Sequence, residues 1–495
     1  MHAHEPKTRA GDSLLRRGGV PNGTETLPPA GSHVFGRLRV PGRSVFLAIS
    51  KFEGEMRSIR VGLIGWGTVG CGVIQVLREN EADIRNRLGV PLELRRVADL
   101  DIDRPRPVSV PRDLLTNRID DILNDPDIDI VVELIGGLDA AREVIRRAID
   151  SGKHVVTANK ALLAHSGNEL FRVAAERGRA IGFEASVAGG IPLIKALREG
   201  LAGNRIQTIF GILNGTANYI LTRMAEGGLS FEDALGEAQQ MGYAEANPAL
   251  DVEGIDTAHK LAIASALSFG TPIRFDEVYT EGISHIDPDD IQFGEEFGYS
   301  LKLLAIARHM DGRIETRVHP TLIPRHHVLA SVKGAYNAVH VQGNAVGNIM
   351  LYGMGAGMMP TGSAVVGDLI DLARDILGST PGRVPALAFQ PDRLAEIAIK
   401  PIADVSTCYY FRFSALDQPG VLSKVSGILG KFHISIAAVI QKGRRKASSV
   451  PIVMLTHEAL ESNVRAALAE IDQLDIVTAP TQIIRIENQE TNNFF

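Results

Sequence analysis

A short apolar run, Ile59 to Ile64, leads directly into Gly65-Trp66-Gly67-Thr68-Val69-Gly70 and then into an amphipathic stretch, an order that few folds accommodate. Gly65 permits the tight turn from strand to helix, Gly67 lets a bound group approach the backbone, and Gly70 allows close helix–strand packing. The helix that follows presents free N–H groups at its N-terminus, a natural seat for a pyrophosphate. Residues Gly65 to Gly70, with Trp66, Thr68 and Val69 completing the loop, are therefore expected to bind a dinucleotide. A turn that is merely Gly-rich does not account for strand, motif and helix occurring together.

Around this motif, short Val/Ile/Leu runs alternate with longer amphipathic segments, the pattern of βαβ units. Strands are expected at Ile59 to Ile64, Leu92 to Ala98, Ile128 to Leu134 and His154 to Thr157, with helices at Gly70 to Arg87 and Ala140 to Ser151. The fold class is thus α/β, with a Rossmann-type doubly wound parallel sheet over residues 56–160. Residues 161–400 mix Ala-rich helices (Phe231 to Met241, Asp256 to Ser268) with β-rich segments such as Ile206 to Leu213, Gly312 to Leu322 and Ala335 to Gly343. They form the expected α+β domain for substrate binding and dimerisation. Residues 408–487 spell strand–helix–strand–strand–helix–strand, a ferredoxin-like βαββαβ unit. From Glu487 onward the chain reads as a frayed tail. Residues 1–55 show no apolar periodicity. They are expected to be a disordered extension or a start-site artefact, and Met56, immediately before the first strand, favours the artefact.

Composition narrows the function classes. With 495 residues and 45% apolar side chains the chain can bury several cores, and its net charge of −6 leaves no basic footprint for nucleic acid. No apolar stretch is long enough to span a membrane. The two cysteines, Cys71 and Cys408, can build neither a disulfide framework nor a Cys-based zinc site, and a cytoplasmic location is expected.

Cofactor preference stays open. Asp99, at the end of the second strand, could accept the ribose hydroxyls of NAD, while Arg95, Arg96 and Arg104 lie close enough in sequence to bind the 2′-phosphate of NADP. The segment Gly242 to Lys260 is dense in ionisable groups: Asp256 and Lys260, at i and i+4, share one helix face, and Glu245 and Asp251 precede them. Taken alone, such a pair is more often a surface ion pair than a catalytic set.

Several motifs shift that balance. The Gly65 to Gly70 loop, Val131 to Gly137, Thr157-Ala158-Asn159-Lys160, Glu184 to Pro192, Gly211 to Thr216 with Asn218 to Leu221, and Glu245 to Lys260 together resemble homoserine dehydrogenase, in order, from about Ile59 to Ile486. No segment resembles an aspartate kinase, so the resemblance is to the monofunctional form with a C-terminal ACT domain. Ala217 departs from the family, where many relatives carry a second Thr.

The resemblance implies reversible NAD(P)-dependent reduction of aspartate 4-semialdehyde to homoserine. Lys260 would move the proton at the C4 oxygen, Glu245 and Asp256 would hold the substrate ammonium and orient the site, and Lys160 would lie near cofactor and substrate. Glu245, Asp251, Tyr243, Gly215 and Thr216 would bind substrate, and Lys160 and Gly355 would join the cofactor site. Glu184 with the carbonyls of Val187, Gly189 and Ile191 would hold a sodium ion. The reaction suits a lysine, because hydride addition leaves an alkoxide that a cationic N–H both stabilises and protonates.

The turn Leu416 to Leu422, with Pro419 and Gly420, is similar to the effector turn of ACT domains, and threonine is the expected ligand. A homodimer or homotetramer is also expected. Because the implied catalytic residues precede Pro401, deletion from about Thr407 onward is expected to abolish threonine inhibition and spare turnover. Two rivals remain. A phosphorylating semialdehyde dehydrogenase needs a nucleophilic thiolate, and a non-catalytic amino-acid sensor would keep the fold without the chemistry.

Overall fold

The computed structural model describes residues 58–441 and 449–488. The expectation for residues 1–55 lies outside the described residues, as does the tail beyond residue 488.

The nucleotide-binding sheet has six parallel strands in the order Leu115–Thr116, Leu92–Ala98, Ile59–Ile64, Ile130–Glu133, His154–Thr157 and Ile181–Gly182. Chain order reverses beside the first strand, so a crevice opens at the carboxyl ends of Ile59–Ile64 and Ile130–Glu133. Ile130–Glu133 and His154–Thr157 are buried throughout and Ile59–Ile64 at every residue but Arg60, as in strands covered on both faces, whereas Leu92–Ala98 has half-buried and exposed positions through Arg96. The two outer strands escape sequence reading because two residues carry no periodicity, and Ile181–Gly182 extends the sheet past the boundary set at residue 160. The helix expected from Gly70 to Arg87 is two helices, Thr68–Glu79 and Glu81–Leu88, broken at the non-helical Asn80.

The rest of the chain is organised on an eleven-stranded sheet. Its backbone runs Gly347–Met354, Tyr336–Gly343, Ile206–Ile212, Tyr299–Met310, Arg313–Pro324, Val477–Ile486, Ser406–Leu416, Ser449–Thr456 and Ile436–Gln441. Tyr299–Met310 carries no strand signature in the sequence. Residues 301 to 308 of that strand are all buried, so the alternation that marks a strand is missing. The helix Ile255–Phe269 is buried on every side except at Ile255, as expected for a helix inside a large core.

Helix Met358–Leu377 returns to the nucleotide-binding domain and crosses helix Thr68–Glu79 at two glycines. A Cβ on Gly72 would sit 1.9 Å from the Met358 carbonyl oxygen, and one on Gly362 would sit 2.5 Å from the Gly72 backbone.

The ferredoxin-like unit has the expected βαββαβ order, with helices Val421–Lys431 and Glu461–Ile471 packed over one core. It is not a loosely tethered module. Its last strand pairs in parallel with Arg313–Pro324 through Thr321–Arg485 and Leu322–Ile486. Glu487, read from sequence as the start of a frayed tail, is buried and binds Arg317 Nη2 at 2.6 Å as well as Arg308. Asp290 accepts from Tyr410 at 2.9 Å and from both Nε and Nη2 of Arg412. Arg485 donates to Glu281 and Glu461.

Candidate active site

At the crevice, Gly65 adopts φ +103°, and a Cβ there would lie 2.6 Å from the Leu134 carbonyl group, so both conformation and space demand glycine. Gly70 packs on Gly65, with 2.3 Å between its hypothetical Cβ and the Gly65 carbonyl oxygen. Gly67 is exposed and has open space around its Cβ position, directly before helix Thr68–Glu79. An open glycine at a helix N-terminus fits a dinucleotide's pyrophosphate.

Asp99 is neither a solvated loop charge nor a free acceptor. Its Oδ2 accepts from Trp66 N at 2.7 Å, and its Oδ1 from Arg106 Nη2 at 2.9 Å and Asp101 N at 3.1 Å. Arg95 turns instead toward Asp125, at 3.7 Å.

The lysines and carboxylates converge from both domains. Asp256 Oδ2 accepts from Lys260 Nζ at 2.7 Å and from Asn214 Nδ2 at 2.8 Å, while Lys160 Nζ lies 3.3 Å from Oδ1. Lys260 also donates to the Leu213 carbonyl at 2.6 Å. Asn214 Nδ2 reaches Asp251 at 2.7 Å, and its Oδ1 caps helix Gly215–Gly227 by accepting from Ala217 N. Asn214 thus fixes both carboxylates and the helix start. In the sequence only its capping role carries a local signal.

Burial pushes the Asp256 carboxyl up, but Lys260, Lys160 and the hydrogen bonds from Lys260 and Asn214 together hold it well below the usual carboxylate range. Burial pushes the Asp251 carboxyl up, with the Asn214 hydrogen bond opposing.

Lys160 reads from sequence as a strand-end residue. It is the first residue of helix Lys160–Glu176, capped by Asn159, whose side chain accepts from Leu162 N. Asn159 also donates to the Gly137 carbonyl at 2.7 Å. Thr157 donates to the buried Glu133, which accepts from the backbone of Ile135 and Gly136. These bonds fix the exit of the strands that deliver Lys160. Its side chain is 40% exposed, against 10% for Lys260.

Other sequence candidates fall outside the cluster. Glu245 is exposed, and the Tyr243 ring packs on Tyr219 at the surface, 4.8 Å between centroids. The Thr216 hydroxyl donates to the Tyr243 carbonyl at 2.6 Å, which anchors the 243–251 loop. Gly215 lies against the Ala335 carbonyl, 2.6 Å from its hypothetical Cβ. Gly355 lies against Gly189 and Asn337.

The two Glu184 carboxylate oxygens accept from Ile194 N and Lys195 N, each at 2.8 Å, so the residue caps the turn Leu193–Lys195. Burial nevertheless pushes it up to about 7. Asp368, which accepts from Glu184 N at 2.8 Å, is pushed up to about 8 by burial and by Glu184. Ala188 and Gly189 are successive left-handed residues, φ 60° and 56°. Among the described residues, no group of three or more His, Cys, Asp or Glu residues could hold a metal ion. Neither cysteine approaches the lysines: Cys71 is buried in helix Thr68–Glu79 and Cys408 lies in strand Ser406–Leu416.

Comparison with known proteins gives matches in the same order along the chain. Residues 65–184 match the model for the homoserine dehydrogenase NAD binding domain, 192–370 that for homoserine dehydrogenase, and 409–475 that for the ACT domain. The homoserine dehydrogenase of Neisseria gonorrhoeae is 47% identical over 433 residues, 88% of this chain and 99% of that one. That of Pseudomonas aeruginosa is 47% identical over 434 residues, 87% of this chain and 99% of that one. The crystal structure of a homoserine dehydrogenase from Thiobacillus denitrificans superposes with a TM-score of 0.82 at 51% identity, covering 88% of this chain and 99% of that one. A hyperthermophilic archaeal homoserine dehydrogenase in complex with NADPH gives 0.52 at 27% identity, covering 64% of this chain and 97% of that one.

Proposed function

This chain belongs to the homoserine dehydrogenase family, and on that premise we propose that Lys260, Asp256, Lys160 and Asn214 form its proton-handling site. It is an NAD(P)-dependent oxidoreductase of amino-acid biosynthesis with an ACT domain at its C-terminal end. That identity sets aside the thiolate and sensor-only alternatives.

The observation that carries the proposal is Asp256, held ionised between two lysines and Asn214 at the carboxyl edge of the nucleotide-binding sheet. Bound nicotinamide supplies or removes the hydride at the C4 carbon. Lys260 Nζ gives its proton to the C4 oxygen in reduction and takes it back in oxidation. Asp256 and the Leu213 carbonyl orient that amine, and Asn214 orients Asp256. Lys160, the more exposed lysine, adds positive charge where the alkoxide develops. Glu245 and Asp256 hold the substrate ammonium, and Asp251, joined to Asp256 through Asn214, completes the substrate pocket.

Sodium is proposed at the Glu184 loop, held by Glu184 and the carbonyls of Val187, Gly189 and Ile191. The buried Glu184–Asp368 pair, both pushed up, supports it, because a cation there would relieve a carboxylate-rich pocket. Its role would be to fix the backbone between the domains. Threonine is proposed as the ACT effector at Asp417 to Gly420, whose exposed turn precedes helix Val421–Lys431. Homodimers or homotetramers are proposed as the working form.

One experiment tests these readings: homoserine oxidation followed by nicotinamide absorbance, with NADP and NAD, with and without millimolar threonine, in sodium or choline chloride. Turnover with either cofactor is expected, and no absorbance change with both refutes the catalytic assignment. Threonine is expected to inhibit with a coupling of roughly 1 to 3 kcal/mol. An unchanged rate in threonine removes that effector, and equal rates and thermal midpoints in both salts remove sodium.

Asn214→Ser separates two functions of one residue, since serine also caps helices but cannot bridge Asp251 and Asp256. The thermal midpoint is expected to change little while kcat falls on the order of 10-fold, as for a small misplacement of catalytic groups. An unchanged kcat would leave Asn214 as a helix cap alone.

A further inference from the structure

We propose that Arg106 sets the dinucleotide preference of this enzyme, favouring the form that carries a phosphate on the adenosine 2′-oxygen. The proposal rests on the dinucleotide reading of the Gly65–Gly70 crevice and goes beyond it by naming the residue that discriminates.

Arg106 belongs to the segment after strand Leu92–Ala98, where neighbours such as Leu100 and Asp103 are 96% exposed and 79% exposed at the side chain. Its own side chain is only 9% exposed. Its Nε donates to the Trp66 carbonyl, Nη1 to the Arg104 carbonyl at 2.8 Å, and Nη2 to Asp99 Oδ1 at 2.9 Å. The guanidinium carbon lies 4.5 Å from the centre of the Trp66 ring. An arginine stacked on an aromatic ring and bonded on three sides is already ordered, so binding an anion there requires little further loss of freedom. A guanidinium has five N–H donors. Three are engaged here, which leaves two on the terminal nitrogens for phosphate oxygens.

Asp99 completes the argument. An aspartate at this position selects NAD when its oxygens are available to the ribose hydroxyls. Here one oxygen accepts from Trp66 N, and the other from Asp101 N and Arg106. The unphosphorylated ribose must therefore compete with Arg106 for Asp99. A 2′-phosphate instead gains a charge-assisted partner, and Arg106 screens it from the Asp99 carboxylate. Removing Arg106 reverses both effects, because it frees Asp99 for the diol and exposes a phosphate to an uncompensated carboxylate.

Trp66 is the only tryptophan in the chain, so its fluorescence reports occupancy of this groove without turnover. The test is titration of the wild type, Arg106→Ala and Arg106→Lys with NADPH and NADH, by Trp66 quenching and by calorimetry. In Arg106→Ala the Kd for NADPH is expected to rise on the order of 10- to 100-fold, as for loss of a charge-assisted bidentate contact. The Kd for NADH is expected to hold or fall. Arg106→Lys, which keeps the charge but loses the fork, should raise the NADPH-to-NADH Kd ratio by less, and it decides the matter if the alanine variant does not fold. Equal weakening of both cofactors, or an unchanged ratio in the folded variants, overturns the proposal and leaves Arg106 as a brace for the Trp66 loop. If the wild type binds neither dinucleotide, the crevice reading fails instead.

Discussion

Lys260→Ala lowers kcat for homoserine oxidation by on the order of 100-fold or more, the scale of losing a general acid–base group. The expectation rests on position: Lys260 Nζ is buried, 2.7 Å from Asp256 and 2.6 Å from the Leu213 carbonyl. The sequence suggests a surface ion pair whose loss would hardly affect folding, but burial changes that. Removing one partner of a buried pair costs about 3 to 5 kcal/mol when the other is left alone. Asp256 is not left alone, since Lys160 at 3.3 Å and Asn214 at 2.8 Å remain, so the destabilisation should fall below that range. Lys260→Met keeps most of the volume and separates cavity from chemistry. The measurement is steady-state kcat beside a thermal midpoint. A variant that folds and turns over at near-parental rate would demote Lys260 to a structural ion-pair partner.

Glu487→Ala destabilises the protein by about 3 to 5 kcal/mol, the usual range for breaking a buried ion pair. Glu487 bridges Arg308 and Arg317, whose side chains are 6% and 1% exposed. Glu315, at 3.9 and 3.5 Å from the same arginines, compensates only in part. Urea denaturation measures the loss as a lower midpoint at unchanged slope, and a midpoint within error of the parent would show that Glu315 suffices.

The same contacts revise the truncation expected to spare activity. A chain ending before Thr407 loses Glu487, Arg412 and Arg485, which leaves Arg308 and Arg317 only the Glu315 carboxylate and takes the arginines from Asp290 and Glu281, so it should lose stability as well as regulation. Acid acts on this junction too. Burial pushes Glu281 and Glu487 up, but Arg485 for the first and Arg308 with Arg317 for the second hold each at about 2. Their contribution is therefore complete above pH 4.5 and is lost as the pH falls from there toward 2.

What the sequence determined by itself is what a short window of chain can carry. Gly65 to Gly70 between strand and helix is a local conformational requirement, and φ +103° at Gly65 meets it. Asp256 and Lys260 share a face by helix geometry alone. In the ferredoxin-like unit, helix Val421–Lys431 and strand Ile436–Gln441 bury one face and keep the periodicity that one-sided burial imposes, while Ser449–Thr456 is legible from its apolar run. Where both faces are buried, as in Tyr299–Met310, that periodicity disappears.

The tertiary structure alone decided everything that depends on charges distant in sequence. Asn214 reaches Asp251 and Asp256 across 37 and 42 positions, and Lys160 meets Asp256 from another domain. Arg106 closes on Trp66 from 40 residues away, and Glu487 finds Arg317 across 170. No spacing rule encodes these pairs. A charge carries no local signature of its partner, and its role is fixed only when folding removes water and leaves one counter-charge within reach.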